Sequence, residues 1–437
     1  MKFRKSLFVL LITAVLFLTG CNMRTINEMY CLPQRSDDYL NLQSAIDSAM
    51  TDLQYCAPIS GEHQQPVQTA DLDGDGAEEY LVFAKGSGDK PLKLLVFDFV
   101  EGKYVLTDRL EGSGTAFVQV QYAKISGRTG YDLVLSKQVS NQVVRTVSVY
   151  SMADGKMEQK LTTNCSQFVC TDLDGDTNSE LLVLRPGEHP VKNGVAELYT
   201  IRNGEVERSN EVTMSEPSDS IKRIMISPLN DGLPAVFVAS DIDGSAIITD
   251  VYALPNGVFT NVSLSSESGT SVQTLRNYYV FAEDIDHDGI LELPHLIPMT
   301  STEPTQTNQY LIRWYAMNSD GSEVDKLYSY HNYVGGWYLT MNNKVAADIS
   351  ITPMGNSYEF TVTQSDGSSS CLMTIYVFTG LQREEQAVSD NRFVLHRTES
   401  TVYAAHLEVV SAAYGITQES MKNAFHMIAQ DWKVGET

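Results

Sequence analysis

The sequence predicts an all-β chain, folded as a β-propeller built of four-stranded repeats roughly 50 residues long. Three observations predict it. An acidic loop occurs three times, as Asp71-Leu-Asp73-Gly-Asp75-Gly-Ala77-Glu-Glu79, Asp172-Leu-Asp174-Gly-Asp176-Thr-Asn178-Ser-Glu180 and Asp284-Ile-Asp286-His-Asp288-Gly-Ile290-Leu-Glu292. Each copy runs into an apolar stretch, beginning at Tyr80, Leu181 and Leu293, with the composition of a strand. Asp-Gly and Asn-Gly pairs, such as Asp154-Gly and Asn256-Gly, then punctuate β-rich runs, which is the strongest short signal for hairpins.

The chain begins with a targeting segment, residues 1–20. Lys2, Arg4 and Lys5 precede an apolar stretch from Leu7 to Leu18 that is short for a bilayer span. Leu18-Thr-Gly-Cys21 resembles the bacterial lipobox, which implies cleavage before Cys21, acylation of that cysteine and a lipid anchor in the membrane, outside the cytoplasm. The formal net charge is −24, and losing three basic leader residues makes the exported chain more negative still. Such a charge excludes nucleic acid as a natural partner. Cys31 and Cys56 could bridge in an oxidising compartment, and Cys165 and Cys170 flank Ser-Gln-Phe-Val closely enough to make a bond conceivable; free buried thiols are the alternative.

Residues 21–58 read as a tether carrying one helix. Leu42, Ile46, Met50 and Leu53 share a face, and Ser36 with Asp37 and Asp38 suits a helix start. The repeats occupy 59–334. Loop starts at Asp71, Asp172 and Asp284 are about 100 and 110 residues apart, twice the repeat period, so a degenerate copy should lie within each gap. Val118–Ile125 followed by Tyr131-Asp-Leu-Val-Leu is one, and Ile224–Leu229 followed by Pro234-Ala-Val-Phe-Val is the other. Five units therefore start near residues 66, 118, 167, 222 and 278. Residues 335–437 break the pattern. They read either as a small α+β domain or as irregular last blades of a seven-bladed ring with a helix outside. Met421, Phe425, Ile428 and Trp432 supply the helical spacing, with Thr417 as N-cap.

The Asp-Leu-Asp-Gly-Asp-Gly-x-x-Glu loop before an apolar strand resembles the FG-GAP/VCBS repeat of integrin-type propellers. That resemblance implies a loop between the first two strands of a blade that holds Ca²⁺. It covers residues 66–335 and lacks the Phe-Gly and Gly-Ala-Pro landmarks, so no integrin-like ligand face follows from it.

Four carboxylates within nine residues repel one another unless a cation sits among them, and hard oxygen donors at alternate positions suit Ca²⁺. The side chains of Asp71, Asp73, Asp75 and Glu79 are the candidate ligands of a first structural site, with the Ala77 carbonyl. Asp172, Asp174, Asp176 and Glu180 with the Asn178 carbonyl form a second, and Asp284, Asp286, Asp288 and Glu292 with the Ile290 carbonyl a third. An EF-hand is excluded, because position 12 holds Val82, Val183 and His295 in place of the bidentate Glu, and the loops lead into strands.

Catalytic patterns are missing: there is no Gly-x-Ser-x-Gly, no His-Glu-x-x-His and no phosphate-cradling glycine loop. Aromatic residues crowd 278–338, Trp314 and Trp337 among them. They could form a patch for sugars or proteins, though packing between repeats is the simpler account. The expected function is a non-enzymatic scaffold at the membrane that binds a protein or glycan. The rival is an envelope polysaccharide hydrolase or lyase, which would require a funnel lined by unpaired carboxylates and His295.

Overall fold

The computed structural model describes residues 37–139, 145–188, 190, 192–202, 204–299, 310–364, 366–428 and 433–434. Cys21 and its leader, Cys31, Ser36, Asn203 and Trp432 lie outside the described residues. Most of the chain is strand, arranged in antiparallel sheets of four or five strands, and among the described residues none of these sheets closes into a barrel. No helix among the described residues is long and apolar enough to cross a membrane.

The sheets follow one another along the chain. In the first, Glu79–Lys85, Leu92–Val100 and Lys103–Gly112 pair in sequence, and both Gln54–Tyr55 and Val67–Ala70 pair with Glu79–Lys85. The second holds Ala116–Ala123, Asp132–Gln138, Arg145–Ala153 and Lys156–Cys165; the third Gln167–Thr171, Glu180–Arg185, Val195–Arg202 and Glu205–Thr213. The fourth is Ile221–Pro228, Pro234–Ile242, Ala246–Ala253 and Thr260–Asn261. The units expected to begin near 66, 118, 167 and 222 thus open on strands at Val67, Ala116, Gln167 and Ile221.

The second strand of each of these sheets carries a buried apolar run of three or more residues, because both its faces are covered there. In the second sheet Leu133 and Leu135 pack toward the first sheet, while Val134 packs toward the third. In the third sheet Leu181 and Val183 face the second, and Leu182 and Leu184 face the fourth. Ala235 and Phe237 of the fourth sheet meet Leu293 and Tyr315 of the fifth. The fourth strand of the third sheet, Glu205–Thr213, is polar and largely exposed because it forms the outer edge. The helix Asp37–Ala49 covers the free face of the first sheet, burying Leu42 and Ile46 against Val82, Leu95 and Phe97. The Asp154-Gly155 turn has φ of 50° and 69°, the left-handed pair that matches strand twist, and Glu101-Gly102 does the same at 52° and 84°. Asn256-Gly257, at 53° and 74°, sits instead in a short 3-10 turn within the longer connection between Ala253 and Thr260.

The closing hairpins of the first three sheets and the Tyr310–Met317/Glu323–Asn332 hairpin inside the fifth share an irregularity. Val96 pairs with Asp108 but Phe97 with Leu106, which leaves Thr107 unpaired as a β-bulge. Lys160, Ser209 and Lys326 are skipped in the same way. A bulge re-aims its extra side chain.

The fifth unit departs from the others. Tyr278–Tyr279, where its first strand should lie, pairs with Lys433–Val434, and among the described residues the backbone tie of this segment to its own sheet is the single Glu283–Glu292 bridge. That sheet comprises Leu293–Pro298, Tyr310–Met317, Glu323–Asn332, Trp337–Met341 and Phe425–Met427. Asn332 pairs with Trp337, so the expected boundary after residue 334 falls inside a hairpin. A sixth sheet of Ile349–Met354, Ser357–Thr363, Ser369–Thr379, Phe393–Arg397 and Thr401–Leu407 stacks on it through Tyr330, Trp337, Phe360 and Met373. The helix Arg383–Val388 covers the opposite face of this sheet, with Ala387 against Phe378, Val402 and Ala404.

Thr417 caps a helix as expected, in a capping box with Ser420, but the helix is only Gln418–Ala424. Phe425 enters a strand instead of extending it. The open edge of Trp337–Met341 takes three backbone pairs, and the Phe425 ring stacks 5.4 Å from Trp337. Tertiary pairing there outweighs local helical spacing.

Candidate metal centres

Each acidic loop is shaped by its own side chains before any ion is considered. The ninth-position glutamate accepts a hydrogen bond from the backbone N–H of position two. Leu72 donates to Glu79 at 2.7 Å, Leu173 to Glu180 at 2.7 Å and Ile285 to Glu292 at 3.1 Å. The fifth-position aspartate accepts from the residue two later: Ala77 N–H to Asp75 at 2.7 Å, Asn178 to Asp176 at 2.7 Å and Ile290 to Asp288 at 2.9 Å. Positions four and six have positive φ in all three copies, through Gly74 and Gly76, Gly175 and Thr177, and His287 and Gly289. Thr177 holds φ 77°, so a β-branched residue is kept in the region that favours glycine.

These constraints bring three carboxylates together in each loop. One oxygen from each of Asp71, Asp73 and Glu79 lies within 4.8 Å of the others, and the same holds for Asp172, Asp174 and Glu180 and for Asp284, Asp286 and Glu292. Three clusters can therefore hold a metal ion. The fifth-position aspartates Asp75, Asp176 and Asp288 stand outside these groups, and the Asp288 carboxylate carries the Lys326 ammonium at 2.5 Å.

The test of fit is the state of the glutamate oxygens. Glu79, Glu180 and Glu292 are 1%, 4% and 0% exposed. One oxygen of each binds the position-two amide, yet Glu79 Oε1, Glu292 Oε1 and Asp284 Oδ1 are buried without a hydrogen-bond partner. A buried carboxylate oxygen left unpaired costs free energy, and a divalent cation with oxygen-donor preference would satisfy it. Burial, followed by the neighbouring aspartates, pushes each of the three glutamates up to about 7. Lys326 opposes this at Glu292 without cancelling it.

The degenerate turn of the second unit supplies a control within the molecule. Ile125 donates to Asp132 at 2.8 Å across the same seven-residue span, so Asp132 stands where the glutamates stand. Its remaining acceptor capacity goes to Ser126 N–H at 2.6 Å, Ser126 Oγ at 2.7 Å and Ser151 Oγ at 2.5 Å. Protein hydroxyls thus do at Asp132 what no donor does at Glu79. Sequence reasoning passed over Asp132; the signal was the apolar residue seven positions before an acid that opens a strand, common to Leu72, Ile125, Leu173 and Ile285. The turns also abut, with Tyr131 N–H on the Asp71 carbonyl at 2.8 Å and Ser179 N–H on that of Lys124 at 2.6 Å.

Other candidates are placed differently. Trp314 and Trp337 are fully buried in the cores on either side of the fifth sheet, so they form no surface patch. His295 is exposed. Cys165 and Cys170 are both free thiols, not bonded to each other, and burial pushes the Cys165 thiol up to about 11. A cavity of about 390 Å³ lies where the first strands of the second to fourth sheets converge, lined by Gln119, Gln121, Gln167, Lys222 and Arg223, with Glu62 the one carboxylate among the described residues that line it.

No family model matches the chain, and no curated protein matches it in sequence. Solved structures similar to it include the crystal structure of a protein from Lactobacillus plantarum, 11% identical with a TM-score of 0.28, the match covering 72% of this chain and 85% of that one. Another is the crystal structure of Chaetomium thermophilum Sqt1, 9% identical with a TM-score of 0.33, covering 70% of each chain. Similarities at this level carry neither fold nor function across.

Proposed function

We propose that this chain is a lipid-anchored protein facing outside the cytoplasm, whose stacked sheets are blades of a β-propeller stabilised by three calcium ions and presented as a non-enzymatic scaffold to a protein or glycan. The observation that carries the calcium reading is the pair of buried glutamate oxygens without a hydrogen-bond donor, Glu79 Oε1 and Glu292 Oε1, inside loops that recur in phase with the sheets. Calcium is preferred to magnesium because an all-oxygen protein cage suits the larger ion, which loses its water more readily. The propeller reading is supported by first strands that line one cavity and by the resemblance of the three loops to FG-GAP/VCBS repeats. For the hydrolase or lyase reading, a glycosidase needs a pair of carboxylates, and among the described residues lining that cavity Glu62 is the one carboxylate.

Metal content of the purified protein tests the first part. Asp73→Ala, Asp174→Ala and Asp286→Ala are each expected to lower bound calcium by about one ion, as counted by elemental mass spectrometry. A calcium content that none of the three substitutions changes would sink the assignment. The anchor is tested in cells. Cys21→Ser is expected to move the protein from the membrane fraction to the soluble one, because the acyl chains supply the membrane affinity. Retention of the variant on membranes would contradict it.

A further inference from the structure

The three loops are alike in their carboxylates but not in what faces them. Lys326 Nζ lies 2.5 Å from Asp288 Oδ2 and 4.0 Å from Glu292 Oε1. Among the described residues no cation pairs with an acid of the first or second loop. Lys326 owes its position to the bulge between Tyr310–Met317 and Glu323–Asn332, inside the fifth sheet: Trp314 pairs with Leu327 and Tyr315 with Asp325, which leaves Lys326 without a strand partner and re-aimed. The equivalent bulged residue in the first sheet is Thr107, and in the third sheet Ser209. Each of these turns its hydroxyl to the neighbouring strand, onto the carbonyl of Val96 or Leu198 at 3.2 Å. One bulge, repeated in the fold, thus carries a neutral side chain in two metal-loop units and an ammonium in the third.

We infer that Lys326 is a built-in counter-ion for the third loop: it competes with the metal there, so this loop is the weakest of the three sites and the first to empty as calcium falls. This rests on the reading of the loops as divalent-cation sites. An ammonium next to two carboxylates lowers the negative potential that a divalent ion would otherwise meet, and two positive charges a few ångströms apart repel. Ion entry requires the Lys326 head to swing away. Space is at hand, because Lys326 also borders a cavity of about 290 Å³ between the fifth and sixth sheets, lined by Leu327, Met341, Asn342 and Ser420. The protein would then respond to calcium in two steps: two sites stay filled at low concentration, and one reports a rise. The reporting site adjoins the part of the fold where Phe425–Met427 closes the edge of the fifth sheet.

Calcium titration calorimetry on the full exported chain tests this, with Lys326→Thr copying the residue of the first sheet and Lys326→Arg keeping the charge. The wild-type protein is expected to show two tight sites and one weaker, and Asp286→Ala to remove the weaker one. Lys326→Thr should tighten the weak site about tenfold or more, while Lys326→Arg leaves it weak. A second readout has opposite signs in two buffers. Without calcium, Lys326→Thr should melt below wild type, because Asp288 and Glu292 lose their cation; in saturating calcium it should melt at or above it. Three indistinguishable wild-type sites, or a weak site that Lys326→Thr leaves unchanged, would overturn the role of Lys326 alone. Absence of binding at all three loops would overturn the calcium reading itself.

Discussion

Removing divalent ions with EDTA is expected to lower the melting temperature by on the order of 10 °C at pH 8, and by much less at pH 5. Each site at a hundredfold excess of calcium over its dissociation constant adds about 2.7 kcal/mol to the folded state, so three add roughly 8 kcal/mol. For a chain above 400 residues the unfolding entropy converts that to a shift of the stated size. The pH dependence follows from the glutamates. Glu79, Glu180 and Glu292 are raised from 4.5 to about 7 in the folded, metal-free protein. Between those values the folded form holds protons that the unfolded chain has released, so metal-free stability falls as pH rises through that window. Calcium reverses the sign, because it binds the ionised carboxylates and displaces those protons. Melts at pH 5, 6, 7 and 8, each with calcium and with EDTA, should therefore diverge progressively up to about pH 7 and then run parallel. Coincident melts at every pH would remove the stabilising role of the ions.

Much of the repeat was legible from the chain because its signals are local. The loops that precede Glu79 and Glu180, the apolar runs of the second strands and the Glu101-Gly102 and Asp154-Gly155 turns are set within ten residues of themselves, and the first strands of the first four repeat units open within about two residues of the positions read from their period. What escaped depends on distant partners. Tyr278–Tyr279 meets Lys433–Val434, and Trp337–Met341 meets Phe425–Met427, across separations that no periodicity encodes. The Met421, Phe425 and Ile428 spacing pointed to a longer helix, and an unpaired sheet edge overrode it. In the candidate sites the converging acids were visible as a motif, but Lys326 was not. Its relevance arises from a bulge that exists only once two strands are in register. Asp132 was hidden for a related reason, since the hydroxyl of Ser151 reaches it from a different strand.

Asp132→Ala is expected to destabilise the protein by about 3–5 kcal/mol whether or not calcium is present, whereas Glu79→Ala should cost several-fold less in EDTA than in calcium. The two residues occupy the same place in consecutive units, and each accepts the amide of the residue seven positions earlier. They differ in what completes them. Removing Asp132 strands four donors in a site that is 2% exposed: the Ile125 and Ser126 amides and the Ser126 and Ser151 hydroxyls. Each buried donor without a partner costs about 1–3 kcal/mol, and the two hydroxyls recover some of that by rotating to new acceptors. Removing Glu79 strands one amide, that of Leu72, and at the same time takes away a carboxylate whose second oxygen has no donor in the metal-free protein. In calcium the same substitution also forfeits the binding energy of the first loop. Urea unfolding of both variants in EDTA and in calcium separates the cases. The Asp132→Ala loss should be equal in the two buffers, and the Glu79→Ala loss should be larger in calcium by the binding energy of one ion. If Asp132→Ala instead grew more costly in calcium, the second turn would itself be a metal site. The division of labour between hydroxyls at Asp132 and cations at Glu79, Glu180 and Glu292 would then be wrong.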